Sequence, residues 1–108
     1  MLVDFYFEKL REYREKYPKC IILIEVGHFM EMYSRPNCGE SEMRQICAEL
    51  NIVMTLKNKK IDPNKGGNAY MAGFGTISLK KYMDRLIDLG YTVILIEQMT
   101  EPPNVERE

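Results

Sequence analysis

Phe29 and Glu31 stand two positions apart in Gly27-His28-Phe29-Met30-Glu31-Met32-Tyr33, directly after the apolar run Ile21-Ile22-Leu23-Ile24-Glu25-Val26. An extended backbone alternates its side chains, so Phe29, Glu31 and Tyr33 would share one face, with His28, Met30 and Met32 on the other. One face then packs, and the other presents a flat ring beside a fixed acceptor. That pairing suits stacking on a nucleobase while hydrogen-bonding to its edge. Residue chemistry alone also fits a plainer account, in which Phe29 and Tyr33 are half-buried strand aromatics and Glu31 is a solvated charge between them.

A second group is the stretch Lys57-Asn58-Lys59-Lys60-Ile61-Asp62-Pro63-Asn64-Lys65-Gly66-Gly67-Asn68, the largest local excess of positive charge. It has no apolar periodicity and reads as a loop. Lys57, Lys59 and Lys60 suit phosphate contacts as flexible point charges, and a solvated hairpin loop fits the same residues. Gly66-Gly67 lacks the spacing of a phosphate-binding loop. His28, the one histidine, is expected to be packed or capped, pointing away from the ring-and-carboxylate face. Neither Glu25 nor Glu97 is followed by the Glu-x-Lys spacing of a nuclease site, and no nucleophile stands near His28. Cys20, Cys38 and Cys47 are odd in number and never spaced as Cys-x-x-Cys, so reduced thiols are expected and a zinc site is not. Cys20 and Cys47 read as small core residues, Cys38 as part of a polar turn.

The elements that would position these groups follow from periodicity. Tyr6, Leu10, Tyr13 and Tyr17 recur at helical spacing opposite a charged face, giving a helix from Asp4, its N-cap, to Tyr17, ended by Pro18. Cys20–Val26 is a strand buried on both faces, and the Phe29 heptad is an edge strand or tip after it. Glu40 or Ser41 starts a helix to Leu50 with Met43, Ile46, Cys47 and Leu50 inward, closed by Asn51. Ile52–Leu56 and Ala69–Phe74 read as strands. A helix capped by Thr76 or Ser78 turns Leu79, Tyr82, Met83, Leu86, Ile87 and Leu89 inward, with Gly90 after its end. Tyr91–Ile96 is a last apolar strand. The expected fold is α/β, a mixed β-sheet with about three helices packed on it. Residues 1–99 form the domain, and residues 100–108, with two adjacent prolines, read as the start of a linker.

Lysine and arginine number 15 against 16 acidic residues, a net charge of −1, so the chain has no basic footprint for strong nucleic-acid binding. Any such contact must be local or assisted from outside the chain. No apolar run approaches the length of a membrane span, and the amino terminus is not that of a signal peptide; the reduced thiols are what make an intracellular setting the expectation.

The heptad, Met71-Ala72-Gly73 and Ile96-Glu97-Gln98 together resemble the amino-terminal mismatch-recognition domain of the MutS family of DNA mismatch-repair proteins. The family shows Gly-Asp-Phe-Tyr-Glu, then Met-Ala-Gly before a helix, then a strand ending in Glu-Gln, in this order. The resemblance implies that Phe29 is an aromatic wedge stacking on a mispaired base and Glu31 its hydrogen-bonding partner, in a kinked duplex. It implies binding without catalysis in this chain. No cofactor is expected here, with ATP and magnesium held only by a downstream ATPase region. The implied partners are mismatched double-stranded DNA and the rest of a larger protein, monomeric as this fragment and dimeric in full length. His28 replaces the usual aspartate, Met30 a tyrosine, Glu25 a common arginine, Gly75 a frequent proline and Ile77 a frequent histidine. The ending Glu97-Gln98-Met99-Thr100-Glu101-Pro102-Pro103-Asn104 is similar to the branch of large DNA viruses and coral mitochondria. A nucleus, a mitochondrion and a viral replication site all fit such a protein. A different class also fits the residues: an adaptor that docks a protein through Phe29, Tyr33 and nearby methionines.

Overall fold

The computed structural model describes residues 2–36, 39–57 and 69–97. The elements run α1 (Leu2–Lys16), β1 (Cys20–Val26), β2 (Phe29–Ser34), α2 (Glu40–Leu50), β3 (Thr55–Leu56), β4 (Tyr70–Gly75), a 3-10 turn (Thr76–Ser78), α3 (Leu79–Asp88) and β5 (Thr92–Ile96). The five strands form one sheet in the order β3-β4-β2-β1-β5. Only the β1–β5 pair is parallel. The others are antiparallel, so the sheet is mixed, with three helices, as expected.

The unbroken apolar character of β1 follows from its place between β2 and β5: Cys20, Ile22 and Leu23 are wholly buried. The β2 strand is not the edge strand its polar alternation suggests. It is the middle strand, hydrogen-bonded to β1 on one side and β4 on the other, and only its Phe29 end reaches the limit of the sheet. Gly27, at φ +61, makes the tight turn between β1 and β2, a left-handed conformation that costs glycine little.

Helix α1 begins at Leu2, so Asp4 lies within its first turn instead of capping it. Val3 and Tyr6 are its buried residues, whereas Tyr17 falls beyond the helix and is exposed. The Tyr6 hydroxyl donates to the Ile22 carbonyl at 2.8 Å, pinning α1 to β1. In α2 the inward set Met43, Ile46, Cys47 and Leu50 is buried as its spacing predicts. Asn51 closes the helix at φ 59, and the Ile52 amide donates back to the Cys47 carbonyl at 2.9 Å. That cap takes the Ile52 amide out of the ladder, and β3 starts at Thr55. In α3, Leu86 is fully buried but Ile87 lies off the stripe and is exposed. Arg85 donates to the Glu49 carbonyl at 2.9 Å, joining α3 to α2. Gly90 follows at φ +96.

Cys20 and Cys47 are buried free thiols, and burial pushes the Cys47 thiol upward. Cys38, Lys59, Lys60 and the expected linker lie outside the described residues. No helix among the described residues is long and apolar enough to cross a membrane.

Candidate functional site

Register decides what surrounds Phe29 and Glu31. Phe29 is paired with Val26 of β1 and Gly75 of β4; Glu31 is paired with Ile24 and Gly73; Tyr33 is paired with Met71. Residues directly opposite each other in a ladder point to the same face. Phe29, Glu31 and Tyr33 therefore form one column, as alternation predicts, flanked on the β4 side by two glycines at its outer end.

The two ends of that column differ. At the inner end Tyr33 is buried, its ring centroid 4.8 Å from that of Tyr6 on α1. At the outer end, the glycines at 73 and 75 put no side chain beside Glu31 or Phe29, and Phe29 is 56% exposed. A Cβ at Gly73 would collide with the Met30 carbonyl oxygen, so close strand approach requires glycine there. On the other face Met30 and Met32 are buried, and Phe74 beside them stacks at a tilt on Tyr82 of α3, centroids 4.4 Å apart. The expected split into a packed face and a presented face holds for Phe29, while Tyr33 is buried and Glu31 is mostly covered. Of the residues named for the adaptor reading, Tyr33, Met30 and Met32 are inside the core and Phe29 is exposed.

Glu31 is held. Its Oε1 accepts a hydrogen bond from the Tyr33 hydroxyl at 2.5 Å and lies 3.2 Å from the Lys57 ammonium. Its side chain is 13% exposed and that of Lys57 25%. Burial, then the bond to Glu31 and the charge of Glu31, push the Tyr33 phenol far above its ordinary value, so it stays a donor. Lys57, expected to point at phosphates, is instead drawn back onto the Phe29–Glu31 face. Nothing in the sequence announces a pair 26 positions apart. The Tyr33 bond was readable from same-face spacing, had Tyr33 been taken as buried.

His28 is exposed in the turn and not packed. Its carbonyl accepts the Thr76 amide at 2.8 Å, tying the β1–β2 turn to the segment after β4. That tie carries Ile77, which is 98% exposed, and a Cβ at Gly75 would lie 3.7 Å from the Ile77 Cγ2. Since Gly75 is paired with Phe29, Ile77 lies near the same end of the sheet as the ring. It was read from sequence only as a departure from a family pattern.

Among the described residues a small cavity of about 50 Å³ lies between α1, α2 and the sheet, lined by Tyr6, Arg14, Met32, Tyr33, Glu42 and Met43 among others. It has room for a water or two. The surface tip, with an exposed ring, an exposed isoleucine and an anchored carboxylate, is the feature that calls for a ligand.

The sequence model of the family described as MutS domain I matches residues 5–107. The chain belongs to the MutS domain I family. It is 34% identical over 93 residues to the DNA mismatch repair protein MutS of Macrococcus caseolyticus, an alignment covering 86% of this chain and 10% of that protein. It is 33% identical over 89 residues to the MutS of a Dehalococcoides mccartyi strain, 82% of this chain and 9% of that protein. A MutS homolog of Acanthamoeba polyphaga mimivirus aligns at 26% over 109 residues, 99% of this chain and 10% of that protein. The chain thus spans about a tenth of the length of the curated relatives it matches. The mixed sheet with three helices described above is consistent with that family.

Proposed function

We propose that this MutS domain I reads mispaired or unpaired bases in duplex DNA with the tip formed by Phe29 and Glu31, as one part of a larger mismatch-repair protein. The observation that carries the reading is the half-exposed Phe29 ring on a rigid central strand, with the Glu31 carboxylate fixed one ladder step behind it on the same face. A mispaired base has already lost pairing and part of its stacking, so displacing it costs less than displacing a paired one. Stacking on an aromatic ring returns about 1–3 kcal/mol per base and is indifferent to base identity. A kink is likewise cheaper where the duplex is weakened, and apolar side chains pushed between base steps are a known means of making one. Ile77 adds apolar surface to the same prow. Glu31 then accepts from a donor on the displaced base, and a base edge that offers none is disfavoured.

In this reading the ATPase, with its ATP and magnesium, and the dimer contacts belong to other parts of the protein, and the setting is intracellular. Lys59 and Lys60 serve as general phosphate contacts.

Band-shift titrations of the protein that carries this chain, on matched and mismatched duplexes, test the proposal. Phe29→Ala should bring mismatch binding down toward the matched level, a loss of about 1–3 kcal/mol. Glu31→Ala should leave matched binding level or higher while shrinking the preference. A preference for mismatches that survives Phe29→Ala would overturn the reading.

A further inference from the structure

Two chemically distinct donors converge on one carboxylate oxygen. Tyr33 Oη donates to Glu31 Oε1 at 2.5 Å and Lys57 Nζ stands 3.2 Å from the same oxygen, while Oε2 takes neither bond. Lys57 Nζ is also 5.2 Å from the centroid of the Tyr33 ring, so the ammonium is held by a carboxylate and a π-face together. The backbone supports this placement: the Lys57 amide donates to the Ala69 carbonyl at 2.9 Å, fixing Lys57 where the chain leaves β3 beside β4. The tyrosine that completes the trio is locked in the core against Tyr6. An ammonium so engaged is not an idle surface charge waiting for a phosphate.

We propose that Lys57 is a positioning residue that sets specificity through Glu31: it neutralises the carboxylate and fixes Oε1, leaving Oε2 to meet a base edge. The inference rests on the reading of Phe29 and Glu31 given above and deepens it. An unpaired Glu31 would repel the phosphates of any duplex and sample several rotamers. Paired with Lys57 and bonded to Tyr33, it presents a local charge near zero and one oriented acceptor. A duplex can then approach, and discrimination depends on whether the displaced base supplies a donor to Oε2. A phosphate contact, for which Lys57 is a candidate from sequence, would act on matched and mismatched DNA alike; in this proposal the effect of Lys57 falls on the preference.

A double-mutant cycle on the protein that carries this chain tests it. Lys57→Met, Glu31→Gln and the double variant are titrated with matched and mismatched duplexes, and the ratio of the two affinities is read, because general charge effects cancel in that ratio. Lys57→Met should lower the preference about five-fold, the scale of a partly exposed ion pair. In the Glu31→Gln background the same change should leave it unaltered. Lys57→Arg should keep the preference, and Tyr33→Phe should lower it with the fold intact. Lys57→Gln serves as a second neutral variant with the same expectation. If Lys57→Met weakens both duplexes equally in both backgrounds and lowers the slope of log affinity against log salt by about one, Lys57 binds a phosphate and the proposal is overturned. A preference lost in Phe29→Ala and Glu31→Gln but kept in Lys57→Met also overturns it, leaving the reading of the tip in place. A preference untouched by Phe29→Ala and Glu31→Gln overturns both.

Discussion

Phe29 and Tyr33 are two aromatics on one strand face, four positions apart, and they have opposite fates. The difference lies in what the neighbouring strands and helix put beside them: glycine at 75 for Phe29, Met71 and the Tyr6 ring for Tyr33. Sequence periodicity assigns both to one face but cannot say how far along that face a helix extends, so Phe29 was legible as exposed and Tyr33 was not legible as buried. Substitution should separate them. Phe29→Ala removes a ring that is 56% exposed, and stability should change by no more than about 0.5 kcal/mol. Tyr33→Ala empties a core position and should cost about 3–5 kcal/mol. Thermal melts of the two variants decide the matter; a large drop for Phe29→Ala would make Phe29 a core residue and remove the wedge.

At the scale of elements, the tip is a device of β2 and β4 more than of the heptad alone. The strand β4 carries Gly73 and Gly75 opposite Glu31 and Phe29, and the two glycines do different work. At Gly73 an added Cβ meets the backbone of β2, which cannot yield as a side chain could. At Gly75, with φ −64 and ψ 145, the backbone suits any residue and the nearest atom is a methyl of Ile77 at ordinary contact. Gly73→Ala should therefore destabilise the domain by about 1–3 kcal/mol, as overpacking does, and disturb the pairing that holds Glu31. Gly75→Ala should leave stability level or raise it by about 0.4–1 kcal/mol through the unfolded chain. Denaturant midpoints for the pair check this, and a Gly75→Ala variant as damaged as Gly73→Ala would refute it. Strand existence here was plain from the sequence: β1 has the bounds its composition gives, and the buried stripe of α2 is the one its spacing gives. Placement was not. Polar alternation made β2 look like an edge strand, because Glu31 reads as solvent-facing when it is held by Lys57 and Tyr33. A long-range ion pair has no local signature, so Lys57 could be found as a candidate but not given its partner.

For the molecule as a whole, two buried tyrosines link stability to alkaline pH. Burial raises the Tyr6 and Tyr33 phenols well above their ordinary value of 10.0, with the bond to Glu31 adding to the effect at Tyr33. The folded state thus holds these protons more tightly than the unfolded chain. Their contribution is whole at neutral pH and drains away as pH climbs above about 10, where unfolding releases them. Phenolate absorbance followed with circular dichroism should show two of the seven tyrosines ionising only as the fold is lost. Ionisation of all seven near pH 10 in a folded chain would contradict the burial.

The charge of the whole chain bears on how much the tip can do alone. Fifteen basic residues against sixteen acidic leave a net charge of −1, so few counterions are released when a duplex approaches. One of the lysines that suit phosphate contacts, Lys57, is ion-paired with Glu31. A single wedge also engages one base step, and the stacking it gains is set against the cost of kinking a stiff duplex. These 108 residues by themselves should therefore bind matched duplex no better than the general range of roughly 10⁻⁴–10⁻⁶ M at physiological salt, with a shallow salt slope. Mismatched duplex should gain only the stacking increment. Tight binding would then require surfaces outside the chain to hold the duplex against the tip, consistent with a domain that spans a tenth of its relatives. Fluorescence anisotropy of the chain with both duplexes across a salt series measures this directly. A sub-micromolar affinity for matched duplex at physiological salt would mean that the chain carries a phosphate-binding surface of its own, beyond the tip.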